Sequence, residues 1–159
     1  MIELDIAVEG GGWASLPEVE ELARRAVEAA LGAASDAARG PVEISLLLAD
    51  DAAVQALNRE WRGQDKPTNV LSFPAPEQPG APGPRHLGDV ALAYETLVRE
   101  AQREGKSLRN HAAHLIVHGT LHLLGYDHEL EGQAEIMEAL EAKALARLGI
   151  ADPYRDMAL

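Results

Sequence analysis

The sequence contains no cysteine among its 159 residues. This absence excludes disulfide bonds, zinc fingers with Cys ligands and thiol nucleophiles, and it suits a reducing compartment. Any metal ion bound by this chain must therefore be held by His, Asp or Glu side chains.

Signals for export and for membrane insertion are also missing. The N-terminal sequence MIELDIAVEG is acidic and alternating, and it has neither the basic region nor the continuous apolar region of a secretory signal. No apolar run approaches the ~20 residues that cross a bilayer, because LIVHGTLHLL is interrupted by two histidines and a glycine. The sequence predicts a cytoplasmic protein with no membrane partner.

Basic residues are few, since 14 Lys and Arg stand against 26 Asp and Glu, giving a net charge of −12. Such a charge repels a polyanion at long range and argues against nucleic acid binding. Phosphate contacts act within a Debye length of about 8–10 Å, however, so a local basic cluster can override the total. Arg59, Arg62 and Lys66 form such a cluster around Trp61, whose side chain we expect in the core.

Length and an apolar content of 47% fit one domain over residues 1–159. Alternation of apolar and polar residues predicts strands at 2–8, 42–48, 70–73 and 88–93. Helical periodicity predicts helices at about 17–32, after Asp50 or Asp51, at 94–104, from Ser107 to Leu124, and at about 131–148.

Local signals refine these elements. Ser15 and Glu18 match a capping box for the first helix, the second helix should turn Trp61 inward, and the proline-rich segment 74–86 should be an exposed loop. Strands and helices mix in the first half, whereas the second half is helical. We therefore expect an α+β fold, with a small, mostly parallel mixed sheet of about four strands, about five helices, and a metal site on a helix of the C-terminal half.

Histidines are concentrated on the predicted helix that ends near Leu124. His118 and His122 are four residues apart, which places their Cβ atoms about 5–6 Å apart on one face and lets both rings reach one ion. Gly125 permits a chain reversal that returns His128 as a third ligand. Three imidazoles would leave a fourth position for water, whose pKa zinc lowers to ~7. We expect one Zn²⁺, or another divalent ion.

Several neighbouring residues allow two interpretations. His111 and His114 are more simply ordinary helix residues than ligands, although His114 could support a ligand from behind. Asp127 could orient an imidazole, accept a proton or cap the turn. Gly119 could allow close helix packing or keep space for a substrate. The whole set could also be hydrogen-bonded histidines without an ion, although so many imidazoles on an apolar helix would need many separate partners.

The spacing of the histidines coincides with the metzincin protease pattern H-E-x-x-H-x-x-G-x-x-H. In that pattern Glu follows the first His and acts as the general base, whereas this chain has Gly119, which can transfer no proton. A metalloprotease is therefore an alternative that lacks its usual base.

Four segments resemble one known family in the expected order. HGTLHLLGYDH at 118–128 closely resembles the signature of the YbeY-type endoribonucleases, and NREWRGQDKPTNVLSFP at 58–74 is similar to that family's other hallmark. LGDV at 87–90 and GIADPY at 149–154 also resemble its motifs. Asn69 departs from the aspartate that many members carry, and the proline loop is longer than usual.

The resemblance implies zinc ligands at His118, His122 and His128, and an arginine, Arg59, that faces the scissile phosphate. From the residues alone, a solvated helix face is the simpler interpretation of Arg59. Arg62 and Lys66 are further candidates for substrate contact. The general base is unassigned.

The implied function is metal-dependent hydrolysis of RNA phosphodiester bonds, in maturation of the 3′ end of small-subunit ribosomal RNA and in ribosome quality control. The implied partners are ribosomal RNA, ribosomal particles and an Era-type GTPase, and no DNA is expected. A non-catalytic ribosome assembly factor is the remaining alternative. Its metal would be structural, with a fourth protein ligand such as His114 or Asp127.

Overall fold

Four strands form one mixed sheet in the computed structural model, which describes residues 2–35, 40–76, 78, 80–127 and 132–154. The strands are β1 (Ile2–Val8), β2 (Val42–Ala49), β3 (Val70–Pro74) and β4 (Arg85–Ala93). They lie in the order β1-β2-β4-β3. β2 pairs in parallel with β1 and β4, whereas β3 is antiparallel to β4. The predicted mostly parallel mixed sheet is confirmed.

Five α-helices accompany the sheet. They are α1 (Val19–Ala33), α2 (Asp51–Arg62), α3 (Tyr94–Glu104), α4 (Leu108–Leu123) and α5 (Gln133–Arg147), and a short 3-10 helix spans Gly11–Ser15. The predicted α+β class and the approximate element counts are therefore confirmed. No helix of the described ranges combines the length and the hydropathy needed to cross a membrane.

The core lies mainly on one face of the sheet. α1 and α4 pack side by side there, and α5 contacts both helices. Buried side chains of the central strands, including Ile44, Leu46 and Leu92, meet Ile116 and Leu121 of α4 in this layer. A smaller apolar cluster on the other side of the sheet packs α2 against the ends of the strands. The helix with the four histidines is thus anchored in the core.

Helix ends agree with several of the predicted signals. Asp50 accepts a hydrogen bond from the backbone N–H of Ala53 at 2.8 Å, and Ser107 accepts one from Asn110 at 3.0 Å. Each side chain satisfies a backbone donor that the helix leaves unpaired.

The predicted capping box of the first helix is wrong. α1 begins at Val19, and Glu18 precedes it in the left-handed conformation with φ of 57°, without a side-chain cap. Ser15 lies in the 3-10 helix, where its hydroxyl donates to the Gly12 carbonyl at 2.8 Å. The glycine-rich segment before Ser15 closes its own turn, so this side chain is not available to cap the helix.

The predicted position of Trp61 is also wrong, because 67% of its surface is exposed. Val54 is fully buried on α2, but Trp61 lies in the last turn, where α2 extends past the apolar cluster. The predicted proline loop is shorter than expected. Pro74 ends β3, which is an edge strand where its missing N–H is tolerated, and Arg85 begins β4.

Candidate active site

A cavity of about 900 Å³ opens beside α4. One wall is the face of α4 that carries His114, His118 and His122, and the facing wall includes α2 residues and the segment that leads from α2 to β3. Side chains of α5 and Tyr154 complete the lining. The cavity therefore brings together the histidine helix and the basic segment that the sequence singled out.

His118 and His122 converge as predicted. Their ring centroids are 4.6 Å apart, and the two Nε2 atoms lie 3.1 Å from each other. The spacing of four residues on one helix produces this contact.

Glu141 of α5 lies behind this pair and is 1% exposed. Its Oε1 accepts from Nδ1 of His118 at 2.5 Å, and its Oε2 accepts from Nε2 of His114 at 3.1 Å. The hydroxyl of Tyr154 also donates to Oε2. Because a carboxylate only accepts, His118 carries a proton on Nδ1, and its Nε2 is the ring nitrogen that faces His122.

These contacts determine the charge of the cluster. Burial by itself raises the pKa of Glu141, but hydrogen bonds from His114, His118 and Tyr154 and the charge of His118 outweigh it and lower the pKa to about 2. Burial and the neighbouring Glu141 raise the pKa of Tyr154 far above its usual 10. Glu141 is therefore ionised and Tyr154 protonated at neutral pH.

The chain reverses at Gly125 as predicted. Gly125 adopts φ of +99° and donates to the His122 carbonyl at 3.0 Å, while Tyr126 donates to Leu121 at 3.2 Å. This pair of bonds is a Schellman motif, which requires the left-handed residue. Asp127 then lines the cavity. The predicted third ligand, His128, falls outside the described residues.

Within the described ranges, no three His, Asp or Glu side chains form a cluster suited to a metal ion. The two described ligand candidates nevertheless fit one. Two nitrogens at ~2.0–2.1 Å from a tetrahedral ion would be roughly 3.3 Å apart, close to the observed 3.1 Å. The hydrogen bond from His118 to Glu141 is the carboxylate–histidine arrangement that orients metal-binding imidazoles. His114 is directed to Glu141 and supports the pair from behind.

Gly119 is explained by close packing. A Cβ atom at this position would lie 2.7 Å from Cγ1 of Val90 and 3.2 Å from Oγ of Ser72. The Ser72 hydroxyl donates to the Gly119 carbonyl at 3.1 Å, which ties α4 to β3. The space is occupied by the sheet rather than kept for a substrate, and a larger side chain, including the protease glutamate, would not fit here without displacement of the strands.

Of the three predicted basic residues, two line the cavity and one does not. Arg62 and Lys66 line the cavity. Nη2 of Arg62 donates to the Ser72 carbonyl at 2.6 Å, and its guanidinium lies 5.5 Å from the Phe73 ring centroid. The side chain of Arg59 is 62% exposed and lies 3.7 Å from Asp65, so this arginine is not brought into the cavity lining.

A second polar cluster lies elsewhere along the cavity. Nε2 of His111 lies 2.9 Å from Oε1 of Glu100, and Nδ2 of Asn69 lies 3.1 Å from the same oxygen and 3.3 Å from Oε2. His111 is 4% exposed. The amide of Asn69 thus donates to the carboxylate of Glu100.

Sequence reasoning missed Glu141, Tyr154 and Glu100. A signal for Glu141 existed, because Met137, Glu141, Ala144 and Leu145 follow helical spacing and all are buried. A carboxylate within an apolar stripe indicates a buried partner. Tyr154 ends the segment GIADPY, whose resemblance to the family gave this tyrosine no role, and no local pattern marks Glu100. The contacts of both residues join distant segments.

The fold and the site define a class of α+β protein that presents paired imidazoles, backed by a buried carboxylate, to a partly basic cavity. A family model described as "Endoribonuclease YbeY" matches residues 13–149. The chain belongs to this endoribonuclease family.

Individual relatives agree with this assignment. Proteins named Endoribonuclease YbeY from Azorhizobium caulinodans and Chelativorans sp. are each 53% identical, over 96% and 95% of this chain and 96% and 92% of their own. The corresponding protein of Bradyrhizobium sp. is 50% identical over 96% of this chain and 92% of its own. The solution structure of TM1509 from Thermotoga maritima has the same fold, with a TM-score of 0.59 and 22% identity over 96% of this chain and 98% of that one.

Proposed function

We propose that this chain is a metal-dependent endoribonuclease that holds one Zn²⁺ on His118, His122 and His128. The observation that carries the proposal is the approach of the two Nε2 atoms to 3.1 Å in front of a buried, ionised carboxylate. Membership of an endoribonuclease family supplies the substrate class. An alternative protease role has no support at Gly119, where the usual base would collide with Val90.

A bound ion of this kind supplies Lewis acidity and lowers the pKa of water near neutrality. The chain's own residues orient the reaction. Glu141 fixes the His118 ring through Nδ1, and His114 and Tyr154 hold Glu141 in place. Asp127 lines the same cavity and is a candidate for positioning or proton transfer.

The substrate backbone would be held by cations. Arg62 is positioned by its contacts with Ser72 and Phe73. The segment that carries Lys66 is anchored by Asn58, whose side-chain amide donates to the Lys66 carbonyl at 2.9 Å. Arg59 faces the scissile phosphate in this proposal. Its exposed ion pair with Asp65 costs no more than about 1 kcal/mol to break, so the guanidinium is available to a phosphate that approaches.

The biological task that we propose is maturation of the small-subunit ribosomal RNA 3′ end and ribosome quality control in the cytoplasm. Ribosomal particles and an Era-type GTPase are the proposed partners. The family resemblance of the four motif segments supports this assignment.

Metal content and RNA cleavage, measured together on purified variants, test the proposal. His118→Ala and His122→Ala should each lose the ion and reduce RNA cleavage by more than about a hundredfold. The matched control is His86→Ala, because His86 is exposed and lies 3.0 Å from Glu43, away from the cavity. Arg59→Ala should keep the ion and lose about 10²–10³-fold in rate, whereas Arg25→Ala on α1 should change neither.

The alternatives give different results. Cleavage of casein by the wild type would favour the protease. Metal retained by both histidine variants, or wild-type protein that binds metal but cleaves no RNA under any condition tried, would contradict the proposal, and the second result would favour the assembly factor.

A further inference from the structure

Trp61 is a large aromatic side chain that the fold leaves in contact with solvent. Of the two tryptophans in the chain, Trp13 is 1% exposed and donates to the Ala49 carbonyl at 2.9 Å, whereas Trp61 is 67% exposed. A single exposed apolar residue is common on protein surfaces, so exposure alone assigns Trp61 no role. Its position relative to the cavity is the second observation.

The last turn of α2 places Trp61 at the edge of the cavity. Asn58 and Arg62 both line the cavity, and their spacing of four residues puts them on one face of the helix. Trp61 directly precedes Arg62, and consecutive Cα atoms are ~3.8 Å apart. At about 100° per residue, the Trp61 side chain is directed roughly 80° to one side of that face. The indole therefore lies beside a cation that lines the cavity.

Hydrogen bonds hold this turn in place. Gly63 ends α2 in the left-handed conformation with φ of 67°, and its backbone N–H donates to the Arg59 carbonyl at 3.2 Å. The backbone N–H of Gln64 donates to the Asn58 carbonyl, also at 3.2 Å. The side chain of Asn58 in turn donates to the Lys66 carbonyl at 2.9 Å. An indole on a fixed turn has only two side-chain torsions to restrict on binding, so ordering it costs little entropy.

The indole has no stacking partner within the described ranges. None of the described aromatic rings or cations stacks on Trp61, and its N–H makes no hydrogen bond to a described residue. Arg62 lies instead over the Phe73 ring, 5.5 Å from its centroid. Every nucleobase has a π-face that can stack on an aromatic side chain, whatever its sequence identity. A contact of this kind adds affinity without adding positive charge, which suits a chain with a net charge of −12.

We propose that Trp61 is a stacking platform for one base of the RNA strand, next to the phosphate that Arg62 binds. This inference rests on the proposed RNA cleavage and adds a contact to the strand that is not electrostatic.

The test uses single-stranded oligoribonucleotides with a mapped cleavage site, made resistant to cleavage by chemical substitution at that bond, and measures affinity by fluorescence anisotropy. Trp61→Ala should bind about tenfold more weakly than the wild type, since stacking of one base corresponds to roughly a 5- to 150-fold change in affinity. Trp61→Phe keeps an aromatic face and should stay within about threefold of the wild type. Neither variant should change the metal content or the slope of log K against log salt, because no phosphate contact is removed.

Ile136→Ala is the matched control. Ile136 is also a large exposed apolar side chain, 54% exposed on α5, and it is not part of the described cavity lining. Its replacement should leave the RNA affinity unchanged.

Abasic substitution identifies the stacked nucleotide. Removal of one base at a time keeps every phosphate of the strand. At one position it should weaken binding to the wild type by about tenfold and binding to Trp61→Ala by less than about twofold, since both changes remove the same contact. RNA should also quench the emission of Trp61 in the wild type, whereas the buried Trp13 of Trp61→Phe should show no quenching.

The abasic series and the quenching need only wild-type protein, so they decide the proposal even where Trp61→Ala is poorly folded. Equal affinity for every abasic strand, or full affinity of folded Trp61→Ala, would overturn the stacking platform. Full affinity of this variant for free RNA with weaker binding to ribosomal particles would assign the indole to a protein contact and would also overturn it. RNA cleavage that persists beside either result leaves the proposed function standing, whereas a protein that neither binds nor cleaves RNA contradicts the proposed function itself.

Discussion

Glu141 is the residue on which the order of the candidate site depends. A buried carboxylate loses its hydration and must be compensated by donors. His114, His118 and Tyr154 provide three, and the same contacts fix the His118 ring so that Nε2 faces His122. The charge of Glu141 also increases the electron density that an imidazole offers to a cation.

Glu141→Gln should lower the metal affinity by about 10–100-fold, because outer carboxylates contribute this much to metal sites. Glutamine has nearly the same shape and keeps one acceptor, so the fold should persist. Competition with a chromophoric chelator measures the affinity, and circular dichroism checks the fold.

Glu138→Gln is the control for this variant. Glu138 lies one turn earlier on α5 and also lines the cavity, but it makes no described hydrogen bond to His118. Equal metal affinities for the two variants would mean that Glu141 serves only the packing of α5.

At the scale of elements, Asp51 connects the starts of α2 and α3. Its Oδ1 accepts from the backbone N–H and the hydroxyl of Thr96, both at 2.9 Å, and its Oδ2 accepts from Arg99 at 3.0 Å. The backbone N–H of Asp51 in turn donates to Glu95 at 2.7 Å. Each helix therefore satisfies an unpaired donor at the N-terminus of the other.

Asp51→Asn should destabilise the fold by about 1–2 kcal/mol at pH 7, because hydrogen bonds to an ionised acceptor are lost. Burial raises the pKa of Asp51, but the bonds from Thr96 and Arg99 outweigh it and hold the pKa below 3.8. A lowered folded-state pKa means that this stabilisation is complete above the unfolded value and disappears as the pH falls through the folded one.

Urea unfolding from pH 7 down to pH 3 checks this expectation. The difference between wild type and Asp51→Asn should shrink below about pH 4, near the unfolded pKa of an aspartate. Asp5→Asn on exposed β1 should stay within about 0.5 kcal/mol of wild type. A difference for Asp51 that does not change with pH would show that its charge is unimportant.

Elements with a strong local signal were predictable from the sequence. β1 and α3 have the predicted bounds, and Ser107 and Gly125 delimit α4 as expected. Trp61 was misplaced because periodicity gives a face of α2 but not where the neighbouring layer ends.

The candidate site likewise has one part that was predictable from the sequence and one part that was not. The contact between His118 and His122 follows from helical spacing alone, and the structure confirms it. The partnership of Glu141 with both His118 and Tyr154 joins residues 23 and 13 positions apart, and it depends on how α5 packs against α4. The helical stripe of α5 can indicate that Glu141 is buried, but it does not say which residues of other segments are its partners.

At the scale of the whole molecule, the negative charge of the chain opposes binding of the proposed substrate, RNA. The chain carries −12 overall, and the described cavity lining includes Glu100, Glu104, Asp127, Glu138 and Glu141. The basic side chains of Arg and Lys in that described lining belong to Arg62 and Lys66. RNA affinity should therefore depend on few phosphate contacts and on the bound ion, rather than on a broad basic surface.

The salt dependence of RNA binding tests this distribution. Each neutralised phosphate of a single strand adds about −0.7 to the slope of log K against log salt. Contacts from Arg59, Arg62 and Lys66 would therefore give about −2 for a cleavage-resistant oligoribonucleotide, a shallow slope. Lys66→Ala should make the slope about 0.7 less negative, whereas Lys143→Ala, an exposed lysine of α5 that is not part of the described cavity lining, should leave it unchanged. A slope steeper than about −5 would require more than seven contacts, and the bound strand would then have to extend onto basic residues outside the cavity.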